Sequence, residues 1–242
     1  LAWYGRDAGE PGALAPLLRR LDALAGDGLA RIRLLYLYPS EVRDPLVPTM
    51  LELPTVAPYF DLSLQHASAP LLRSMKRWGS GERFMDLVAG IRAREAEATF
   101  RSSFIVGFPG ETERDHDELL AFLEGVELDW AGFFPFSRED GTPAAGMDGH
   151  VPDELVRERL RECAELQDPI TQASRDALVG TDLDVLVDGM DDDTGEPVGR
   201  SDREAPEIDG VIRISDAFAQ PGARVRARVT AAYGPDLAAV PA

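Results

Sequence analysis

Between residues 12 and 137 the chain alternates helix-like with strand-like segments; beyond 180 the helical signals stop and the strand signals continue. No other feature restricts the fold as much. Parallel strands need long crossovers, usually helices, so this alternation implies an α/β barrel or a doubly wound sheet. Residues 13–25 place Leu14, Leu17, Leu18 and Leu21 at helical spacing, with Gly26 and Gly28 as stops. Helices are also expected at 45–53, weakened by Pro48, at 71–78, and along the stripe Phe84, Leu87, Val88 and Ile91. The pair Thr112 and Asp115 has capping-box spacing ahead of Leu119, Leu120 and Leu123. Strands are expected at 32–38 (buried on both faces), 59–64, 99–107 and 131–137.

Residues 151–178 read as a polar-rich helix with Val156, Leu160, Cys163, Leu166 and Ile170 on one side. Pro169 is expected to break or kink it, with Asp168 capping a second short helix. After Gly180, strands at 183–187, 211–214 and 225–229 are punctuated by glycines, the pattern of a small all-β module, a five-stranded barrel. The organisation is therefore a body at 1–149, a helical connection at 150–178 and a β module at 179–242. The chain opens Leu1-Ala2-Trp3-Tyr4-Gly5, without Met, and reads as the tail of a strand within a longer protein.

Charge narrows the function. Among 242 residues, 43 acidic side chains face 25 basic ones, a formal net charge of -18. Such a surface repels nucleic acid backbones at long range and favours basic partners. Lys76 is the only lysine beside 24 arginines, a bias that reads as genomic background. No apolar run approaches the roughly 20 residues of a membrane helix. Cys163, the single cysteine, forms no internal disulfide, ligates neither zinc nor an iron–sulfur cluster alone, and follows helical apolar spacing, so it reads as core; the cytosol is the default location. His66, His116 and His150 lack metal-ligand spacing, and His116, on an acidic helix, is expected to be solvated. Asp191-Asp192-Asp193 reads as a solvated turn, and no metal site is expected.

Several positions admit two readings each. Gly107-Phe108-Pro109-Gly110-Glu111-Thr112 joins a strand to a helix, so it is either a ligand-approaching loop or a tight turn with a good cap. Gln65 and His66 sit where a strand ends, as ligand-binding groups do in α/β barrels, or they satisfy loop backbone. Arg101 and Ser103 share a strand face, and a buried arginine needs a carboxylate, either a cofactor's or a neighbouring Asp's.

Four strings occur in order: Tyr36-Leu37-Tyr38-Pro39-Ser40, Leu64-Gln65-His66-Ala67-Ser68, 104–112 (Phe-Ile-Val-Gly-Phe-Pro-Gly-Glu-Thr) and Gly141-Thr142-Pro143-Ala144. Together they resemble the radical S-adenosylmethionine (SAM) methylthiotransferases. The resemblance implies an incomplete radical-SAM (β/α) barrel, its later strands and helices only, followed by a TRAM barrel of OB-like form. Phe136-Ser137-Arg138-Glu139-Asp140 before Gly141-Thr142 has acidic residues where the tRNA-modifying branch shows Arg-Pro. With Gly199-Arg200-Ser201 and 205–210 (Ala-Pro-Glu-Ile-Asp-Gly), it is similar to the branch that methylthiolates an aspartate of small-subunit ribosomal protein S twelve.

That family implies SAM and two 4Fe-4S clusters. One cluster, on a CxxxCxxC motif, cleaves SAM to a radical that takes hydrogen from the aspartate β-carbon; the other takes part in sulfur delivery. None of those cysteines is in this chain, so the segment alone is expected to be inactive. By resemblance the SAM wall comprises Gln65, Arg101, Ser103, Gly107, Gly110 and Glu111, with Arg101 toward the methionyl carboxylate. The β module carries 13 acidic and 6 basic residues between 180 and 242; Glu204, Glu207 and Asp209 are the expected contacts to the basic ribosomal protein. Two other readings remain open, a tRNA methylthiotransferase and a non-catalytic binding module. RNA binding asks for a basic face; the module's net charge of -7 argues against one, although Arg224, Arg226 and Arg228 share a strand face.

Overall fold

The computed structural model describes residues 4–242, in two compact units that divide between Gln167 and Asp168. The expected strand tail at 1–3 lies outside the described residues, and Tyr4 and Gly5 are in a turn.

In the first unit, α1 (Leu14–Asp22) and α2 (Leu46–Glu52) precede β1 (Tyr59–Gln65), α3 (Ala69–Ser74) and α4 (Gly81–Arg92). Then come β2 (Thr99–Val106), α5 (Glu113–Val126), β3 (Trp130–Pro135) and α6 (Asp153–Asp176), which carries the division between units. Pro48 is the third residue of α2. Its missing N–H has no intrahelical acceptor there, which is why the helix forms despite it. The α5 capping box is present in both directions: the Thr112 side chain accepts from the Asp115 amide, and the Asp115 carboxylate accepts from the Thr112 amide.

The three strands are parallel in the order β1-β2-β3. Phe60, Leu62, Leu64, Phe100, Phe104 and Val106 point to one side, into a core shared with Phe84, Val88 and Ile91 of α4 and Leu119, Phe122 and Leu123 of α5. The strand expected at 32–38 is not a strand. It touches the sheet at one isolated bridge, Leu37 to Leu62, and makes another ahead of β1, Ile32 to Val56, because Tyr36 turns left-handed (φ 58°) and gives its N–H to the Asp61 carboxylate.

Helix α6 runs unbroken through Pro169, contrary to the expected second helix capped by Asp168. The proline removes one hydrogen bond, to the Glu165 carbonyl, and long-range contacts on α6 offset that loss. Before it, Cys163 is in the core and Gln167 donates to the Leu128 carbonyl. After it, Gln172 accepts from the Gly234 amide and Arg175 pairs with Glu204.

The second unit is a closed barrel of β4 (Asp182–Met190), β5 (Pro197–Arg200), β6 (Ile212–Ile214), β7 (Arg224–Tyr233) and β8 (Asp236–Pro241), in the order β4-β5-β6-β8-β7. Its core is Val185, Val187, Ile212, Ile214, Ala227, Val229, Leu237 and Ala239. At Gly199 a Cβ would come 2.1 Å from the Leu186 carbonyl oxygen, so the β4–β5 pairing requires glycine there. Asp191 closes the acidic turn by accepting from the amides of Asp193 and Thr194.

Candidate functional site

The sheet face opposite the core is polar. Asp61 of β1, Arg101, Ser103 and Ile105 of β2, and Gly132 and Phe134 of β3 share it by strand parity and register. Asp61, Arg101 and Trp130 are neighbours in one row. Arg101 Nη1 donates to Asp61 Oδ1 at 3.2 Å, in an ion pair whose carboxylate is buried and whose guanidinium is partly so, and lies 3.5 Å from Ser103 Oγ. The neighbouring Asp is therefore one carboxylate partner of Arg101. Phe134 ends the face with half its surface exposed.

Beyond Ile105, the C-terminal ends of the strands border an open cavity of about 260 Å³. Its walls are Ile105, Phe108 and Phe136, the Met75–Arg77 stretch after α3, Gln65, and the segment from Thr142 to Met147. Gln65 is left-handed (φ 72°) beside a register shift in β1, a strained conformation for a residue with a side chain. Phe108 and Phe136 meet edge to face, with centroids 5.2 Å apart.

The loop after β2 consumes its own donors. Glu111 Oε2 accepts from the amides of Gly107 (2.5 Å) and Phe108 (3.2 Å), while Oε1 accepts from Arg159 Nη1 at 3.0 Å. The Gly110 amide goes to the Gly149 carbonyl. Gly107 and Gly110 are left-handed, and a Cβ on Gly107 would lie 2.4 Å from Val156 Cγ2. Burial pushes the Glu111 carboxyl up, against the pull of the Gly107 amide and the Arg159 guanidinium. The Gly107 and Gly110 amides and the Glu111 carboxylate are thus engaged within the protein, and the loop turns its Phe108 side chain to the cavity.

Behind the loop lies a buried polar cluster. His66 Nδ1 accepts from the Ser68 amide at 3.0 Å, so it does satisfy loop backbone, and burial holds this imidazole down at about 4 despite Asp115 nearby. Ser68 Oγ donates to Asp115. His116 is buried, not solvated: its ring nitrogen Nε2 lies 2.8 Å from Glu162 Oε2 because α6 covers that face of α5. Burial pushes the Cys163 thiol up to about 12. Among the described residues no group of His, Cys, Asp and Glu is arranged to hold a metal.

In the second unit the three expected acidic contacts diverge. Glu204 is fully buried; it pairs with Arg175 and accepts from the amide and hydroxyl of Ser201, so it is a fold-holding group and not a docking one. Residues 206–208 are a turn, not extended, so Glu207 and Asp209 do not share a strand face. Glu207 is exposed with φ 68°, and half-buried Asp209 accepts from the Ala205 amide. On β7, Arg226 pairs with Asp184 and Arg228 with Asp182, which neutralises most of the arginine stripe.

Sequence reasoning missed Asp61, Arg159 and Lys76 as neighbours of the site. For Asp61 the signal was present: a charge in the middle of Tyr59-Phe60-Asp61-Leu62 demands a partner. For Arg159 there was none, because its partner lies 48 residues away.

A family model for the TRAM domain matches residues 179–241. A curated relative named ribosomal protein uS12 methylthiotransferase RimO, from Salinispora arenicola, is 46% identical over 98% of this chain and 48% of its own length. Its namesakes from Acidothermus cellulolyticus and Desulforudis audaxviator are 44% and 46% identical, over 98% of this chain and 50% and 52% of their own lengths. The chain thus spans about half the length of the curated relatives it matches. Among solved structures, the radical SAM enzyme coproporphyrinogen III oxidase (HemN) from Escherichia coli matches with a TM-score of 0.53. That match has 14% identity and covers 64% of this chain and 37% of the oxidase, a likeness of fold.

Proposed function

We propose that this chain, which belongs to the RimO family of radical SAM methylthiotransferases as their C-terminal part, serves a cytoplasmic enzyme that adds a methylthio group to the β-carbon of an aspartate in ribosomal protein uS12. The observation that carries the reading is identity of 42–46% sustained over 98% of the chain, through both units.

The residues present do not fit an iron–sulfur cluster. The one cysteine is buried and held as a thiol, and a cluster needs several thiolates. A SAM molecule does fit: the cavity offers aromatic and aliphatic walls from Phe108, Phe136 and Ile105, and the adjoining sheet face offers Arg101 and Ser103. Bound there, SAM supplies radical chemistry and the methyl group. Arg101 and Ser103 orient its methionyl end, with Asp61 holding the guanidinium plane in place. Gln65 and the loop 107–111 border its adenosyl end, and the Glu111–Arg159 pair keeps that loop from collapsing into the cavity.

The net charge of the second unit complements a basic ribosomal protein, with Glu207 at the surface and Asp209 beside it. The pairing of Arg226 and Arg228 with aspartates leaves little basic stripe for RNA and disfavours a tRNA substrate.

Two measurements on the full-length protein test the reading. Mass spectrometry of uS12 from cells with and without it should find the methylthio group on one aspartate only when the enzyme is present; modification in tRNA instead would reverse the assignment. Arg101→Lys should weaken SAM about tenfold or more, the worth of a charge-assisted hydrogen bond, while cluster content stays constant. Lysine is chosen because removing the cation would strand the buried Asp61 carboxylate. SAM affinity unchanged by calorimetry would remove Arg101 from the site.

A further inference from the structure

Lys76 occupies a position that stability alone assigns to glycine. Helix α3 ends in paired bonds, Arg77 N–H to the Leu72 carbonyl and Lys76 N–H to the Arg73 carbonyl, with Lys76 left-handed at φ 56°. This is the Schellman arrangement, in which that residue is most often glycine and any other pays for the left-handed turn. The residue there is the single lysine in a chain that otherwise uses arginine 24 times.

Its surroundings add two facts. Lys76 lines the cavity at the strand ends, and its ammonium makes no hydrogen bond or ion pair among the described residues. The adjacent Arg77 is spoken for, donating to the Ser63 carbonyl at 2.9 Å and lying over the Tyr38 ring. Gln65, the other left-handed residue on this cavity, also has a side chain with no partner among the described residues. In the functional reading above Gln65 borders the cofactor, which leaves the exposed Lys76 ammonium as the unpaired charge at the open side of the cavity.

We propose that Lys76 receives the carboxylate of the target aspartate at the mouth of this cavity. The inference rests on the functional reading above for the identity of the carboxylate, and on the geometry for the existence of its receptor. A lone ammonium matches one monoanion and not a run of phosphates, which the net charge of -18 would repel. Arg101 serves a different carboxylate. It lies four residues before the cavity-lining Ile105 on β2, about 13 Å along the strand at about 3.3 Å per residue.

The test uses the full-length protein, with a uS12 peptide containing the target aspartate and its twin bearing asparagine. The wild type should bind the aspartate peptide about tenfold or more tightly than the asparagine twin. Lys76→Met and Lys76→Gly should bind both peptides alike. Lys76→Gly guards against a folding artefact, since it relieves the left-handed strain and should melt no lower than the wild type. A preference retained in both variants, or absent from the wild type, overturns the proposal. If the preference is present and depends on Lys76 while uS12 gains no methylthio group, the functional reading fails and the carboxylate receptor stands.

Discussion

Replacing Glu111 by Gln tests how the loop between β2 and α5 is held. In the native fold Glu111 is fully enclosed and Arg159 nearly so, and their ion pair anchors two backbone amides besides. Burial already pushes the Glu111 carboxyl up, so ionising it inside the protein carries a cost and the pair is not stabilising through its charge alone. The damage in Glu111→Gln comes from what remains behind. Arg159 keeps its charge without a buried counter-ion, and the new amide nitrogen turns a donor toward either Arg159 or the Gly107 and Phe108 N–H groups. Stranding one member of such a pair costs about 3–5 kcal/mol. For a unit of this size that lowers the melting midpoint by about 6–20 °C. Urea and thermal unfolding of Glu111→Gln, Arg159→Met and the double variant would measure it. The double variant should recover at least half of the loss, because it removes the stranded charge. A Glu111→Gln protein within about 1 kcal/mol of the wild type would refute the assignment of this pair as the support of the loop.

Two further outcomes follow from other polar contacts. His66 is neutral when folded because burial holds its pKa at about 4, against 6.5 for the free group. Between those values the unfolded chain takes up a proton that the folded one refuses, so stability falls as pH drops through that window, by at most about 3 kcal/mol. His66→Asn, whose side-chain oxygen accepts from the Ser68 amide as Nδ1 does, should flatten urea midpoints between pH 6.5 and 4; an unchanged pH slope would contradict this. In the barrel, Asp182→Asn with Asp184→Asn should release Arg226 and Arg228 and create salt-sensitive binding to bulk tRNA that the wild type lacks. Equal tRNA binding by both proteins in a filter assay across a salt series would show that the aspartates do not mask the stripe.

The elements that could be read from the sequence are those whose cause is local. The Thr112 cap, the α4 stripe from Phe84 to Ile91 and the alternation along β7 each carry their reason within a dozen residues, and each is present. The misread elements depend on distant partners. Residues 32–38 have strand composition, but Asp61 captures the Tyr36 amide from 25 residues away and turns the backbone left-handed. Pro169 signals a break locally, yet Gln167 and Gln172 anchor the helix on either side of it through Leu128 and Gly234. β5 and β8 lack a clear local signal because Pro197 and Gly199 in the one, and Pro241 and the small Ala238 and Ala239 in the other, suppress it.

The same distinction governs the charges. Net charge predicts a surface, but a chain this acidic also uses its arginines inside. Arg101, Arg159 and Arg175 each neutralise a buried carboxylate, on Asp61, Glu111 and Glu204. An acidic residue read from sequence is therefore either a surface group or half of an internal pair, and nothing near Glu204 in the chain distinguishes the two. Its partner lies 29 residues upstream, on the last turns of α6. A pair of this kind holds its segment in one place, while the neighbouring Glu207 stays at the surface. Arginine suits internal pairing because its planar fork meets a carboxylate at two points, whereas the one lysine, with a compact and strongly hydrated charge, has no pair among the described residues. The division of labour among the cations thus mirrors that among the anions: those the fold needs are paired and buried, and those left over face the cavity or the solvent.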